Sequence, residues 1–148
     1  MNSDFKDLLR ILLKNGAEFM IIGGYAVIKY TEPRYTKDLD LLICPTIENA
    51  QKVFSSIREF GAALYNLKAE DLTVDGNFFQ IGLPPNRIDI IARVPGVDFT
   101  AAYQRVEWMK LDSLSVPVIS REDLIQSKLA AGRPQDLVDA GALVRKKR

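Results

Sequence analysis

The sequence predicts an α/β protein, a small mixed β-sheet with helices packed against it and a helical pair at its C-terminal end. Three observations lead there. Short apolar runs such as Phe-Met-Ile-Ile at 19–22 and Ile-Asp-Ile-Ile at 88–91 have the length and β-branched content of strands. Segments with helical spacing of apolar residues separate them. Glycine and proline punctuate the joins, at Gly16, Pro33, Pro45, Gly61, Gly132 and Pro134.

Residues 4–15 carry apolar side chains at 5, 8, 9, 12 and 13, which predicts a helix with one buried face, capped by Ser3 or Asp4 and ended by Gly16. Residues 19–22 are the first strand. Gly23 and Gly24 make a tight turn into a short helix over 25–30, which Pro33 stops. Residues 34–37 are a polar loop with Arg34 and Lys37 just ahead of Asp38-Leu39-Asp40, and a second strand continues through Leu41-Leu42-Ile43. Thr46 caps a helix over 47–60 that Gly61 closes, while 62–77 has no clear period. Residues 78–83 and 87–91 read as strands joined by the turn sequence Pro84-Pro85-Asn86. A short helix over 98–104 precedes strands at 106–111 and 114–119, paired as a hairpin. Ser120 and Asp123 form a capping-box-like start to a helix ending at Ala131. Gly132 and Pro134 separate it from a last helix over 135 to about 146.

At 148 residues one domain is expected, with the C-terminal helices occupying about 120–148. A composition of 47% hydrophobic and 26% charged residues is that of a globular protein. The net charge of +1 gives no overall field favouring nucleic acid, and the only basic cluster is the tail Arg145-Lys146-Lys147-Arg148. That tail suits a helix C-terminus, the alternative being contact with an acidic partner. Cys44 is the sole cysteine, so no internal disulfide can form, and the absence of histidine excludes His-based zinc sites and Ser-His or Cys-His catalysis. No run approaches membrane-spanning length and no signal peptide is visible, so a cytoplasmic protein without a membrane partner is expected.

The chemistry concentrates in residues 19–44. Asp38 and Asp40, two apart on a strand, point to the same side, with Leu39 opposite. Adjacent carboxylates repel, and Mg²⁺, a hard cation held by one or two carboxylates plus substrate phosphates, is one remedy. Gly23 and Gly24 allow close backbone approach to a ligand, and amides at the start of the following helix can receive phosphate oxygens. Asp89, alone in an apolar strand, is costly unless paired or metal-bound. Its alternatives are a shared metal with Asp38 and Asp40, or an ion pair with Arg87 on the same face. The blander reading of Asp-x-Asp is a solvated strand end. Arg34 and Lys37 either reach substrate phosphates or screen Asp38.

Gly-Gly, a spacer, Asp-x-Asp and a later lone Asp together resemble the nucleotidyltransferase superfold of DNA polymerase beta and its minimal bacterial relatives. Lys128, followed by Arg133-Pro134-Gln135-Asp136-Leu137-Val138-Asp139, resembles the ending of the nucleotidyltransferase toxins of abortive-infection toxin–antitoxin systems. The likeness covers roughly 19–143. It implies that Gly23 and Gly24 seat nucleotide phosphates and that Asp38 and Asp40 hold two Mg²⁺ ions, with Mn²⁺ as a substitute. Asp89 completes the second metal site and helps activate the acceptor. Lys128 neutralises the triphosphate, and Asp136 lies near the pocket, orienting Lys128 or the nucleotide-binding Arg133. An antitoxin or other helical partner protein is implied too. Two features depart from the pattern: Gly24 stands where serine is frequent in the wider fold, and no acceptor-binding domain is evident.

The residues suit that reaction. Attack on the α-phosphorus of a nucleoside triphosphate expels pyrophosphate, and two metals about 4 Å apart stabilise the entering and leaving oxygens. Three carboxylates suffice to hold them, and no histidine is needed. Haloacid-dehalogenase-type chemistry wants an apolar strand before its aspartates, where this chain has Arg34-Tyr-Thr-Lys37; a dinucleotide fold wants Gly-x-Gly-x-x-Gly. On the helix over 120–131, Lys128 borders Leu124 and Ile125, so its stem either covers apolar surface or its ammonium reaches phosphate. The reaction expected is transfer of a nucleoside monophosphate to an acceptor hydroxyl on RNA, protein or a small molecule. The alternative is a nucleotide-binding partner that is weak or inactive in catalysis.

Overall fold

A computed structural model describes residues 1–33, 36–83 and 86–145. Arg34, the turn prolines Pro84 and Pro85, and the tail residues Lys146 to Arg148, all singled out in the sequence, lie outside the described residues.

In chain order the elements are α1 (Ser3–Lys14), β1 (Phe19–Ile22), α2 (Gly23–Tyr30), β2 (Leu39–Ile43), α3 (Ile47–Phe60), β3 (Phe78–Ile81), β4 (Ile88–Ile91), α4 (Phe99–Tyr103), β5 (Glu107–Leu111), β6 (Leu114–Val118), α5 (Arg121–Ala131) and α6 (Pro134–Arg145). A 3-10 turn at Ala69–Thr73 supplies order in the aperiodic stretch after α3. The strands form one mixed sheet in the order β3-β4-β2-β1-β6-β5. β2 pairs antiparallel with β1 and parallel with β4, and β3 and β4 are antiparallel, as are β5 and β6. The α/β architecture and both strand pairings agree with the sequence.

Several boundaries differ. Asn2, not Ser3 or Asp4, caps α1, its side chain accepting from the Asp4 amide at 2.7 Å. The glycine pair does not stand apart as a turn but begins α2 itself. β2 starts at Leu39, so Asp38 is the residue just before the strand and not within it. β3 ends at Ile81, ahead of Leu83. α6 starts at Pro134, where a missing N–H costs nothing and the fixed φ suits a first turn. Thr46 caps α3, Gly61 ends it in the left-handed conformation, and Ser120 caps α5, as expected.

The core runs along the sheet. Leu39, Leu41 and Ile43 are fully buried on one side of β2 and Leu42 is buried on the other, which leaves Asp40 as the polar interruption. Phe5, Leu8, Leu9 and Leu12 bury the apolar stripe of α1, which packs on α3 and β6. α2 lies on β1 and β2, and α5 and α6 pack against α2 and each other. Two buried polar residues fix this frame. The Tyr30 hydroxyl donates to the Ile119 carbonyl at 2.7 Å, tying the end of α2 to the end of β6. Asn49 donates to the carbonyls of Glu18 and Cys44 and accepts from the Glu18 amide, bracketing the β1–β2 pair. Among the described residues no helix is long and apolar enough to cross a membrane.

Candidate active site

The turn from β1 into α2 comes first. Ile22 precedes the helix in extended conformation and no side chain caps its amides. Gly23 has φ +70, which side chains disfavour, and a Cβ there would collide with the Asp40 carboxylate, lying 2.9 Å from Cγ. A Cβ on Gly24 would stand 2.7 Å from Thr36 Cγ2. Both glycines are therefore required by side chains of the loop and strand that carry Asp38 and Asp40. The Thr36 hydroxyl is buried there with no hydrogen-bond partner among the described residues.

The carboxylates come together across β2 and β4. Asp40 and Asp89 are register partners of the parallel pair, so their side chains share one face. Asp38 joins them through Arg87. The Arg87 guanidinium donates to Asp89 Oδ1 at 3.0 Å and Oδ2 at 3.3 Å and to Asp38 Oδ2 at 3.4 Å, and its amide donates to Asp38 Oδ1 at 3.4 Å. One nitrogen, Nη2, touches both acids. The Arg87–Asp89 pair anticipated from the sequence is thus present, widened to include Asp38. Among the described residues no cation pairs with Asp40 in this way. Burial above all, then the negative charge of Asp89, a hydrogen bond with it, and Asp38 push the Asp40 carboxyl up to about 6, Arg87 opposing.

A cavity of about 620 Å³ opens beside this cluster. Gly23, Gly24 and Asp40 line one part, Lys128, Arg133 and Asp136 another, and Ile91, Val94, Pro95 and Leu124 form apolar wall between. Gly23, Gly24, Lys128, Arg133 and Asp136 all border this one cavity, whereas Lys37 does not line it and Arg34 lies outside the described residues. Of the three acids only Asp40 lines it; Asp38 and Asp89 are outside the lining, with Arg87 between them.

Lys128 is not a free cation. Its ammonium lies 3.5 Å from Asp136 Oδ1 and 3.3 Å from Asp139 Oδ2, both acids being almost fully buried. Arg133 donates to Asp136 at 2.6 Å through Nε, and this hydrogen bond holds the Asp136 carboxyl below the ordinary range, with Lys128 adding to the effect. Gln135 Nε2 donates to Asp139 Oδ1 at 2.9 Å. Asp139 was the residue sequence reasoning left out of the site. Its signal was the Asp-x-x-Asp spacing, which puts 136 and 139 on one face of α6.

The hard oxygen donors of Asp38, Asp40 and Asp89 suit a divalent cation, and the Asp40 carboxyl, raised by burial and then by the charge of Asp89, is a group whose ionised form a cation would stabilise. Yet among the described residues no three acid, cysteine or histidine side chains already converge as a metal-ligating group. Arg87 stands between two of these acids, its Nη2 within hydrogen-bond distance of both Asp38 and Asp89.

Comparison with known proteins adds a family and a fold. The model of the family described as nucleotidyl transferase AbiEii toxin, type IV toxin–antitoxin system, matches residues 7–148. No curated protein matches the chain. Among solved structures, it is similar to a lincosamide antibiotic adenylyltransferase with lincomycin bound, at 13% identity and TM-score 0.60, covering 98% of this chain and 97% of that one. It is also similar to a candidate nucleotidyltransferase from Thermotoga maritima, at 14% identity and TM-score 0.63, covering 93% of this chain and 91% of that one. At such identities the likeness shows the fold.

Proposed function

The chain belongs to the nucleotidyl transferase AbiEii toxin family, and from that premise we propose that it transfers a nucleoside monophosphate from a nucleoside triphosphate to an acceptor hydroxyl, releasing pyrophosphate, with Mg²⁺ or Mn²⁺ as cofactor. The observation that carries the proposal is that Asp40, paired in register with Asp89, lines the same cavity as Lys128 and Arg133. Metal ligands and phosphate-binding cations are thereby joined by a space of nucleotide size.

Asp38, Asp40 and Asp89 would hold the metal, which supplies charge stabilisation for the entering and leaving oxygens when bound. Gly23 and Gly24 bring the uncapped first amides of α2 beside Asp40, where phosphate oxygens are received. Asp136 and Asp139 orient Lys128 by holding its ammonium from one side, and its remaining N–H donor capacity serves the triphosphate. Arg133, mostly exposed and held by Asp136, lines the same cavity and would bind the nucleotide there. Asp89, the register partner of Asp40, would accept the proton of the attacking hydroxyl. The acceptor is RNA, protein or a small molecule. The protein acts in the cytoplasm beside an antitoxin partner.

A second reading has its own support. Arg87 neutralises two of the three acids, and Lys128 is already satisfied by two aspartates. Such a site would suit a nucleotide-binding partner without catalysis. One experiment separates the two: purified protein with Mg²⁺ and each labelled triphosphate, followed for pyrophosphate release and self-labelling, then with lysate as acceptor source. Label transfer with pyrophosphate release supports the enzyme. Nucleotide binding without any transfer supports the binding module.

A further inference from the structure

The carboxylate cluster carries its own cation. Arg87 immediately precedes β4, and its carbonyl extends the β2–β4 ladder, accepting from the Leu39 amide at 2.9 Å. Its backbone is therefore fixed against β2, while its side chain spans from Asp38 to Asp89. The guanidinium brings a single positive charge to three acids, and its Nη2 occupies the space between Asp38 Oδ2 and Asp89 Oδ2. A Mg²⁺ ion brings two charges and needs oxygen ligands at about 2.1 Å, far closer than these oxygens stand around the guanidinium. Metal and guanidinium compete for the same oxygens and the same space.

We propose that Arg87 is the resident counter-ion of this cluster and that a divalent metal ion enters by displacing its guanidinium from between Asp38 and Asp89. The proposal rests on the metal reading given above and goes beyond it in assigning a role to a residue outside the proposed ligands. Arg87 is a positioning residue: without metal it keeps two acids of neighbouring strands from repelling, and it sets the strength of metal binding through what the ion must displace. At 30% side-chain exposure it has room to leave.

The test is Mn²⁺ binding followed by electron paramagnetic resonance in wild type, Arg87→Gln and Arg87→Lys. Alongside it, the Arg87 Nε–H resonance of the ¹⁵N-labelled wild type is followed during Mg²⁺ titration. Displacement predicts at least about tenfold tighter Mn²⁺ in Arg87→Gln, since a unit charge at this range is worth more than that. Arg87→Lys, which keeps the charge but cannot bridge both acids, should bind with intermediate strength. The Nε–H signal of wild type should move in step with bound Mg²⁺. A mere brace for the acids would give the reverse, weaker Mn²⁺ in Arg87→Gln, and that overturns the proposal. So does wild-type affinity in Arg87→Lys, or an unmoved Nε–H signal while Mg²⁺ binds. Absence of metal binding in all three proteins would sink the metal reading as well, which distinguishes the two failures.

Discussion

Gly23 lies against Asp40 so closely that a methyl group on the glycine would overlap the carboxylate. β1 and β2 are antiparallel with Ile22 opposite Asp40, so the chain leaves β1 and enters α2 directly beside the acid. The glycine is thus a condition for the acid's position. Gly16 is the natural control, since its φ of +72 is nearly the same but nothing stands within 4 Å of its Cβ position. Gly16→Ala should cost about 1–2 kcal/mol, the left-handed penalty alone. Gly23→Ala should cost roughly 1–3 kcal/mol more, because overpacking adds to it, and should abolish transfer. Urea denaturation of the two variants checks the difference; equal costs would show that Asp40 yields freely.

Asp38→Asn, Asp40→Asn and Asp89→Asn should each lower the rate of nucleotidyl transfer by at least roughly a thousandfold with folding intact, since metal-borne stabilisation is worth several kcal/mol and each ~1.4 kcal/mol is tenfold. Asp98→Asn is the control. Asp98 caps α4 by accepting from the Ala101 amide at 3.1 Å, and asparagine caps equally well. Steady-state rates decide, and near wild-type transfer by Asp40→Asn would rule the mechanism out.

Millimolar Mg²⁺ or Mn²⁺ should raise the melting temperature of wild type by mass action, by about 2.7 kcal/mol of added stability at a hundredfold excess over Kd. Asp40→Asn should lose that response. Thermal melts with and without chelator measure it, and an equal response in the variant counts against this cluster as the metal site.

The Asp40 carboxyl, pushed up to about 6 by burial and by Asp89, makes a signed prediction in metal-free buffer. Between the ordinary carboxylate range and that value the folded state holds more protons than the unfolded one, so stability falls as pH rises from about 4 to about 6 and then levels. At neutral pH the group costs at most about 3 kcal/mol. Asp40→Asn should lack this fall. The comparison is urea unfolding of both proteins in chelator from pH 4 to 7; parallel curves would refute the shift.

Lys128 is embedded more deeply than its sequence context suggests. Lys128→Met leaves Asp139 without its ammonium and Asp136 with Arg133 alone, both acids being buried. It should therefore weaken triphosphate binding and also destabilise the fold by about 3–5 kcal/mol. Lys128→Arg should keep most of the stability. Fluorescent-nucleotide titration well below the melting point, paired with denaturation, separates the two effects. An unchanged melting temperature in Lys128→Met would mean that the pairing contributes little.

Much of this was legible in the residues themselves. Strand and helix periods depend on neighbours along the chain, so the alternation of elements, the Thr46 and Ser120 caps and the two strand pairings could be read directly. The order of Gly-Gly, Asp-x-Asp, lone Asp and Lys likewise pointed to the family that residues 7–148 match. What tertiary structure alone decided is which charge faces which. The parallel pairing of β2 with β4 sets Asp40 beside Asp89 across almost fifty residues, places Arg87 between Asp89 and Asp38, and makes Gly23 yield its space to a carboxylate. The α5–α6 contact turns Lys128 towards Asp136 and Asp139. Pattern along a chain reports local conformation, whereas Coulomb energy and steric overlap depend on distances through space, and those exist only once the sheet has closed.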